Sequence, residues 1–436
     1  MQTTVVMEVF IDKSKENTYF MLPFTVPESV SRIDIKYTYL RKADEEDREG
    51  NVKISEVNII DLALSDYEGR HLGSSGSDRD HIFVSEYYSC PGYSEAEIKP
   101  GEWYIVVGAY KIQKQGVNVT YEITYTHKER RLLFGDLHIH TNGSDGDYSV
   151  EEIADLAVRN HLDFIFITDH NNYSQNFNLP KREDVTVMPG VEWTHYNGHV
   201  NFLGVKKAYE KSFIANSLEE MRQKLDEAFH NGAIVCINHP FSECGFKFGL
   251  ENVTFDCVEI WNGFMTESNI KCVSWWQEQL LSGRKLPVVG GSDFHRFRTG
   301  STIGSPSVGL YALSEAPSDI YAAIRAGNCF ITESPQGPSV FMRCMDKIMG
   351  ETVTADKQGF GDCHIDFEHV KGGDLIKVIT DRDINEIELS CDYARYSMRH
   401  NPADIKFIRV ELYRSPAPGY PKVLAMLSNP IYFCEG

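Results

Sequence analysis

The sequence predicts an α/β protein in which a central region of parallel βα units is set between an all-β N-terminal region and a β-rich C-terminal one. Three observations carry this expectation. Residues 1 to about 130 are short alternating runs separated by polar turns. From Arg131 to about 338, uniformly apolar runs alternate with helical patterns, as buried parallel strands and their crossover helices do. Beyond that point the alternation returns. The expected domains are therefore 1–130, 131–338 and 339–436, within a chain of 436 residues that is long enough to bury a large core.

Each element has its own warrant. In the first region Arg32–Tyr39, Trp103–Gly108 and Val119–Tyr125 read as strands of a β-sandwich, and Lys42–Gly50 as a solvated charged loop. In the second, Leu132–His140 reads as a strand. Ser149-Val-Glu-Glu152 is a capping box that opens a helix with Ile153, Leu156 and Ala157 on one side. Leu162–Thr168, Val185–Trp193 and Val200–Val205 follow as strands. Ser217-Leu-Glu-Glu220 is a second capping box, ahead of a helix that ends near His230 and Gly232. Ala233–Ile237, Cys257–Trp261 and Leu286–Val289 are further strands, and Ile320–Gly327 is a helix closed by glycine. In the third region Ile365–Phe367, Leu375–Thr380, Ile387–Leu389 and Phe407–Tyr413 read as strands.

Composition excludes several classes. The formal net charge is −20, a field that disfavours nucleic-acid duplexes and anionic membranes as partners. No apolar run approaches the roughly 20 residues of a spanning helix, and the N-terminus lacks a basic segment and apolar core. The 10 cysteines are scattered without a Cys-x-x-Cys pair, and Cys236 and Cys257 fall inside apolar runs. They read as free thiols of a cytoplasmic protein. The expected partner is a small anionic substrate, with oligomerisation left open.

The chemistry-bearing motifs cluster in the central region. Gly135-Asp-Leu-His-Ile-His-Thr141 places His138 and His140 two residues apart, on one side of an extended chain. Ser144-Asp145-Gly146 follows at once; Thr168-Asp169-His170, Gly190-Val-Glu192, Gly198-His199, Asn238-His239-Pro240 and Ser292-Asp293-Phe-His295 come later. Most stand where a strand runs out into a loop, and in a parallel βα arrangement those ends share one face. Six histidines and three carboxylates, His138, His140, Asp145, His170, Glu192, His199, His239, Asp293 and His295, are enough to hold two or three divalent ions. Imidazole and carboxylate without thiolate suit Zn, Mn or Fe. His199 precedes its strand in this reading, and His195 is its rival.

These motifs resemble the PHP family of polymerase and histidinol phosphatase metallohydrolases, and the segment Gly198-His-Val-Asn-Phe-Leu-Gly204 together with the flanking β regions is similar to its CehA/McbA-type branch. The resemblance implies a distorted (β/α)7 barrel with a metal cluster at its mouth. It implies that His138, His140, Glu192 and Asp293 surround one ion, that Glu192 bridges to a second held by His199 and His239, and that Asp145, His170 and His295 hold a third. Asp145 stands where many relatives have histidine.

The implied function is metal-dependent hydrolysis of a small phosphorylated metabolite or nucleotide, through a hydroxide bridging two of the ions. Glu192 and Asp293 are expected at the reacting centre, with Asp169 as a neighbouring structural or proton-carrying group. Arg296 and Arg298, next to His295, are expected to fork onto phosphate oxygens, with Lys247 as a further cation. Two alternatives stand beside this: hydrolysis of a carboxyl or carbamate ester at the same site, and a non-catalytic metal-binding module.

Overall fold

The computed structural model describes residues 1–46, 52–298, 301–355, 361–402 and 404–434. The chain forms two compact units, Met1–Glu129 and Arg130–Gly436.

The first unit is two antiparallel sheets around one core. One sheet has the order Gln2–Ile11, Val117–His127, Val30–Tyr39 and His81–Ser85; the other has Thr18–Val26, Gly101–Lys111, Ile59–Ser65 and His71–Ser75. Alternate residues of each strand, such as Ile33, Ile35, Tyr37 and Ile105, Val107, are fully buried between the sheets, as the period of two demands. The charged segment expected as a loop is partly a hairpin: Lys42–Glu46 pairs with Val52–Glu56, while residues 47–51 lie outside the described residues.

In the second unit strands dominate. One long sheet runs, in pairing order, through Val288–Gly291, Cys257–Asn262, Ile234–Ile237, Gly198–Leu203, Thr186–His195, Phe164–Ile167, Arg131–Asp136, Ser307–Ala312 and Cys329–Thr332. It continues without a break into Val423–Ser428, Phe407–Arg414, Leu375–Thr380 and Ile384–Glu388, so the sheet crosses the boundary expected near 338. A four-stranded sheet that includes Ser339–Cys344, Cys363–Val370 and Tyr393–His400 packs in the same C-terminal region.

The regular seven-fold βα repeat expected for a barrel is not shown, although a parallel bridge between Ile139 and Phe294 joins the chain beyond Arg131–Asp136 to that beyond Val288–Gly291. Among the described residues the unit has four α-helices, Val150–Arg159, Leu218–His230, Glu267–Leu281 and Pro317–Ala326. Pairing is parallel from Arg131–Asp136 through Phe164–Ile167 to Thr186–His195, and again from Ile234–Ile237 through Cys257–Asn262 to Val288–Gly291. Between these blocks Gly198–Leu203 is antiparallel to both neighbours. The reason is local. Only Tyr196 and Asn197 separate it from the preceding strand, and two residues make a hairpin, never a crossover.

Helix starts follow the sequence in part. Ser149 and Glu152 form the reciprocal capping box. At the second site Ser217 caps the Glu220 amide, but the Glu220 carboxylate turns to the amide of Asn216, so the reciprocal bond is missing. Helix Glu267–Leu281, which the sequence reading left unassigned, buries Cys272, Trp276 and Leu280 and is capped by Thr266. It is tied to the C-terminal strands by Arg409, which is 2% exposed, stacks on Trp276 at 4.8 Å, and donates to Gln277 (2.8 Å) and Glu411 (2.7 Å). Arg409→Ala should destabilise the second unit by about 3 kcal/mol, because it leaves Glu411 buried without its cation. Adding Glu411→Ala should bring a further loss smaller than that of Glu411→Ala alone. Urea unfolding followed by tryptophan fluorescence reads both.

Candidate metal centre

Strand ends converge to form the site. His138 and His140 lie just beyond Arg131–Asp136, which stops short of the His140 expected from sequence. The cause is Asp136. Its fully buried carboxylate accepts the amides of His138 (3.2 Å), Ser292 (3.0 Å) and Gly304 (2.8 Å) and the Ser292 hydroxyl, which draws the chain out of the ladder. Burial pushes its pKa up to about 6 despite those bonds. The chain beyond stays extended: the His140 amide donates to the Phe294 carbonyl (2.9 Å) and the Ile139 amide to Thr168 Oγ1 (3.0 Å). The two imidazoles therefore still share a side, with ring centroids 5.1 Å apart.

Glu192, fully buried in strand Thr186–His195, is the hub. Its Oε1 accepts from Asn238 Nδ2 (2.8 Å) and lies 3.1 Å from His199 Nδ1, 3.3 Å from His138 Nε2 and 3.6 Å from His239 Nε2. Its Oε2 lies 2.6 Å from His170 Nδ1 and 3.7 Å from His140 Nε2. Asp293 Oδ1 is 3.0 Å from His140 Nε2 and 3.4 Å from His138 Nε2. Asp145 Oδ1 is 3.2 Å from His295 Nε2 and 3.6 Å from His170 Nε2. All nine residues expected as ligands thus come together. Eight of them supply the donor atoms of three groups, each within 4.8 Å: His138, His140 and Glu192; Glu192, His199 and His239; and His140, Asp145, His170 and His295. Asp293 belongs to none of these groups and borders the first through His138 and His140.

His199 lies inside strand Gly198–Leu203, opposite Thr194, and the register turns it toward Glu192. His195, its rival, is stacked flat on Trp193 with centroids 5.2 Å apart and belongs to none of the three groups. His239 and Asp293 both carry left-handed backbones, φ 27° and 52°, a conformation that costs non-glycine residues of order 1 kcal/mol or more and that clusters at functional sites.

The electrostatics follow from burial. Burial alone would push the His138 pKa down, but Asp293, Glu259 and Glu192 outweigh it and hold the imidazole well above its ordinary value. His140 is lowered, chiefly by burial. Burial would raise Glu192, yet the charge of His138 and its close approach, with the contacts of His170 and His199, hold it well below the usual carboxylate range. Asp293 is likewise lowered, with burial opposed by His138 and His140.

The donor set fits divalent cations. His138 Nε2 and both ring nitrogens of His140 are buried and have no hydrogen-bond partner. His140 Nε2 stands 3.0 Å from Asp293 Oδ1 without hydrogen-bonding to it, as donors do when they are aimed at a shared third atom. Among the described residues no lysine or arginine pairs with Glu192, Glu259 or Asp293, although buried carboxylates require counter-charge.

Supporting groups went unassigned in the sequence. Glu259, 3% exposed, is 2.9 Å from His138 Nδ1 and accepts the His239 amide (3.1 Å) and Asn262 Nδ2 (3.1 Å). Its signal was available: a lone carboxylate inside the apolar run Cys257-Val-Glu-Ile-Trp261. Ser242 Oγ meets His239 Nδ1 (3.0 Å), Thr194 Oγ1 meets His170 Nδ1 (2.6 Å), and Asn262 Nδ2 reaches Asp293 Oδ2 (3.3 Å).

Other expected residues have different surroundings. Asp169 accepts the Thr141 amide and hydroxyl (2.7 Å each) and Ser144 Oγ (2.8 Å), so it shapes the loop that presents Asp145. Arg296 is drawn away from the cleft onto that same loop, donating to the Asp145 carbonyl (2.5 Å) and pairing with Asp147 (3.1 Å). The site opens into a cleft of about 730 Å³, and Arg296, Arg298 and Lys247 are all absent from its lining. The cation that does line it is Lys271.

No protein-family model matches the chain. A segment of 64 residues is 34% identical to the DNA polymerase/3'-5' exonuclease PolX of Bacillus subtilis, covering 14% of this chain and 11% of that protein. Among solved structures, a two-domain protein from Bacteroides vulgatus, described as containing a predicted PHP-like metal-dependent phosphoesterase, covers 68% of this chain and 95% of its own at 16% identity and a TM-score of 0.40. An amidohydrolase from Chromobacterium violaceum, with bound sulfate and no metal, covers 38% of this chain and 89% of its own at 14% identity and a TM-score of 0.28.

Glu259→Gln tests the support given to His138. It should weaken binding of the most tightly held ion by about 10- to 100-fold, the range for losing a ligand's outer partner. The far-ultraviolet circular dichroism should stay unchanged. Chelator competition on the purified protein measures the first.

Proposed function

We propose that residues 130–436 form a metal-dependent hydrolase of PHP type, in the CehA/McbA-like branch, and that its substrate is a small phosphate ester. The reading rests above all on Glu192 as a buried carboxylate common to two histidine groups, at the floor of a cleft open to solvent. The proposed ligands are His138, His140, Glu192 and Asp293 for one ion, Glu192, His199 and His239 for a second, and Asp145, His170 and His295 for a third. Zn, Mn and Fe suit these donors.

Divalent ions held there would supply Lewis acidity and lower the pKa of a water toward neutrality. The chain supplies the rest. Glu259, Asn238, Ser242 and Thr194 fix the orientation of the ligating side chains through the bonds described above. Asn262, bonded to both Glu259 and Asp293, keeps the Asp293 carboxylate in place. The cleft admits a small ester directly to the ligand groups, and His170, His199, His239, Glu192, Asp293 and His295 line it.

A phosphate ester is favoured over a carbamate by charge. Two divalent ions would outweigh the two negative charges of Glu192 and Asp293, and three would outweigh those of all three ligand carboxylates. Both arrangements leave a cationic floor inside an acidic protein, which favours an anionic reactant over a neutral one. Parallel assays with p-nitrophenyl phosphate, bis(p-nitrophenyl) phosphate and 1-naphthyl N-methylcarbamate decide the bond. Turnover of a phosphate ester is expected, and turnover of the carbamate alone would overturn the reading. Glu192→Gln and Asp293→Asn should each lower kcat by at least about 1000-fold with the fold retained by circular dichroism. Dialysis against a chelator should abolish wild-type turnover, and added divalent metal should restore it.

A further inference from the structure

We infer that Lys271 is a specificity-determining residue of this cleft, and that it selects esters whose leaving alcohol carries a negative charge of its own. The inference rests on the proposed hydrolase reading and names its substrate class.

The cleft has two parts. One is formed by His170, Glu192, His199, His239, Asp293 and His295, all proposed ligands. The other is formed by the segments 241–244 and 266–271, which contain no proposed ligand. When the reacting phosphorus is held at the first part, the alcohol that leaves must lie along the second. The character of that second wall then decides which alcohol fits.

Its polar groups are unequal. Lys271 is the sole lysine or arginine among the described lining residues, and it is exposed. Among the described residues it makes no ion pair, even though Glu267 stands at the i−4 position from which a helical carboxylate commonly reaches a lysine. Glu243 and Glu267 face the same space. They narrow the choice, because an anionic group can settle against this wall only where Lys271 offsets them. The hydroxyls are less available. Thr266 Oγ1 is engaged with Ser268 Oγ (2.7 Å) and caps the helix, and Ser242 Oγ is engaged with His239. Phe241, 38% exposed and 6.0 Å from the Trp275 ring, supplies an apolar surface on which a flat or aliphatic body can rest. The wall thus offers one apolar face and one free cation. Helix Glu267–Leu281 holds that cation in position through Trp276 and Arg409, so it sits on a rigid element.

Arg296, Arg298 and Lys247, first expected on the phosphate oxygens, do not line the cleft, and Arg296 is already paired on the Asp145–Asp147 loop.

The test compares phenyl phosphate with 4-carboxyphenyl phosphate, using wild type, Lys271→Gln, Lys271→Glu and Lys271→Arg. The wild type should show the higher kcat/KM for the carboxylated ester by about fivefold, the scale of one exposed ion pair worth on the order of 1 kcal/mol. The difference should appear in KM. Lys271→Gln should erase the preference, Lys271→Glu should reverse it, and Lys271→Arg should retain it. A second readout is independent of turnover: binding of phenylphosphonate and 4-carboxyphenylphosphonate by calorimetry, on the same four proteins. A wild type that hydrolyses phosphate esters with no such preference, or a preference that survives Lys271→Gln, overturns the inference and leaves the hydrolase reading standing. A wild type that hydrolyses no phosphate ester, yet binds the carboxylated phosphonate more tightly in a Lys271-dependent way, overturns the phosphoesterase reading and supports the role of Lys271. Failure in both turnover and binding overturns both.

Discussion

Buried negative charge is the constraint around which the second unit is built. Asp136, Glu192 and Glu259 are at most 3% exposed, and Asp293 stands among them. Stripping a carboxylate of water costs several kcal/mol unless something replaces the water. The chain answers differently in each case. Asp136 is met by three amides and a hydroxyl, a neutral solution that leaves its pKa raised. Glu259 is met by an amide, an amide side chain and one imidazole. Glu192 has one amide donor, a long bond from the Thr194 hydroxyl (3.4 Å) and otherwise imidazoles. That last arrangement stabilises the carboxylate only while positive charge is present, from protons or from cations. Cations are the better solution, because they also engage the ring nitrogens of His138 and His140 that find no partner within the protein.

The fold holds this arrangement by placing rigid elements behind each donor. His138 can sit where it does because Gly291 has no side chain: a Cβ there would lie 2.4 Å from the His138 Cβ and 2.8 Å from Glu259 Oε1. His239 and Asp293 are carried on backbone conformations that side chains disfavour, and each is over-determined by its neighbours. The Ser242 amide returns to the His239 carbonyl, and the Phe294 carbonyl is taken by His140. The C-terminal strands take part as well. Through Arg409 and Trp276 they brace the helix that borders the cleft, which explains in physical terms why the sheet continues past residue 338.

The convergence of the proposed ligands was legible from sequence because ligation needs particular atoms, and those atoms come from few residue types. Strand ends were legible because uniformly apolar runs such as Phe164–Ile167 stop abruptly at a polar triplet. What stayed hidden depends on proximity rather than type. Arg296 follows His295 directly, yet its guanidinium turns onto Asp147, because a side chain pairs with the nearest charge and not with the nearest residue number. Lys271 is more than twenty residues from any proposed ligand, and only the packing of its helix brings it to the cleft. The antiparallel direction of Gly198–Leu203 was also missed, although Asn197-Gly198 at its turn is a common hairpin dipeptide; it stands one residue past the central pair Tyr196-Asn197.

The three groups of donors differ in burial, and that difference orders them. The group His138, His140 and Glu192 is at most 1% exposed in its side chains. The group with His199 and His239 shares the buried Glu192 but opens to 14% and 9%. In the third, His170 and His295 are 27% and 24% exposed, and Asp145 is 56% exposed. Water can solvate Asp145 in the absence of any cation, so leaving that group empty strands little charge. Leaving the first empty strands the most. Affinity should therefore fall from the first group to the third, with salt screening the third most strongly. Here the aspartate at 145 matters. A short, exposed carboxylate held mainly through its loop, by Asp169, Thr141 and Arg296, with only a long bond from Ser144 Oγ (3.5 Å) to its own oxygen, makes the last group the adjustable part of the arrangement.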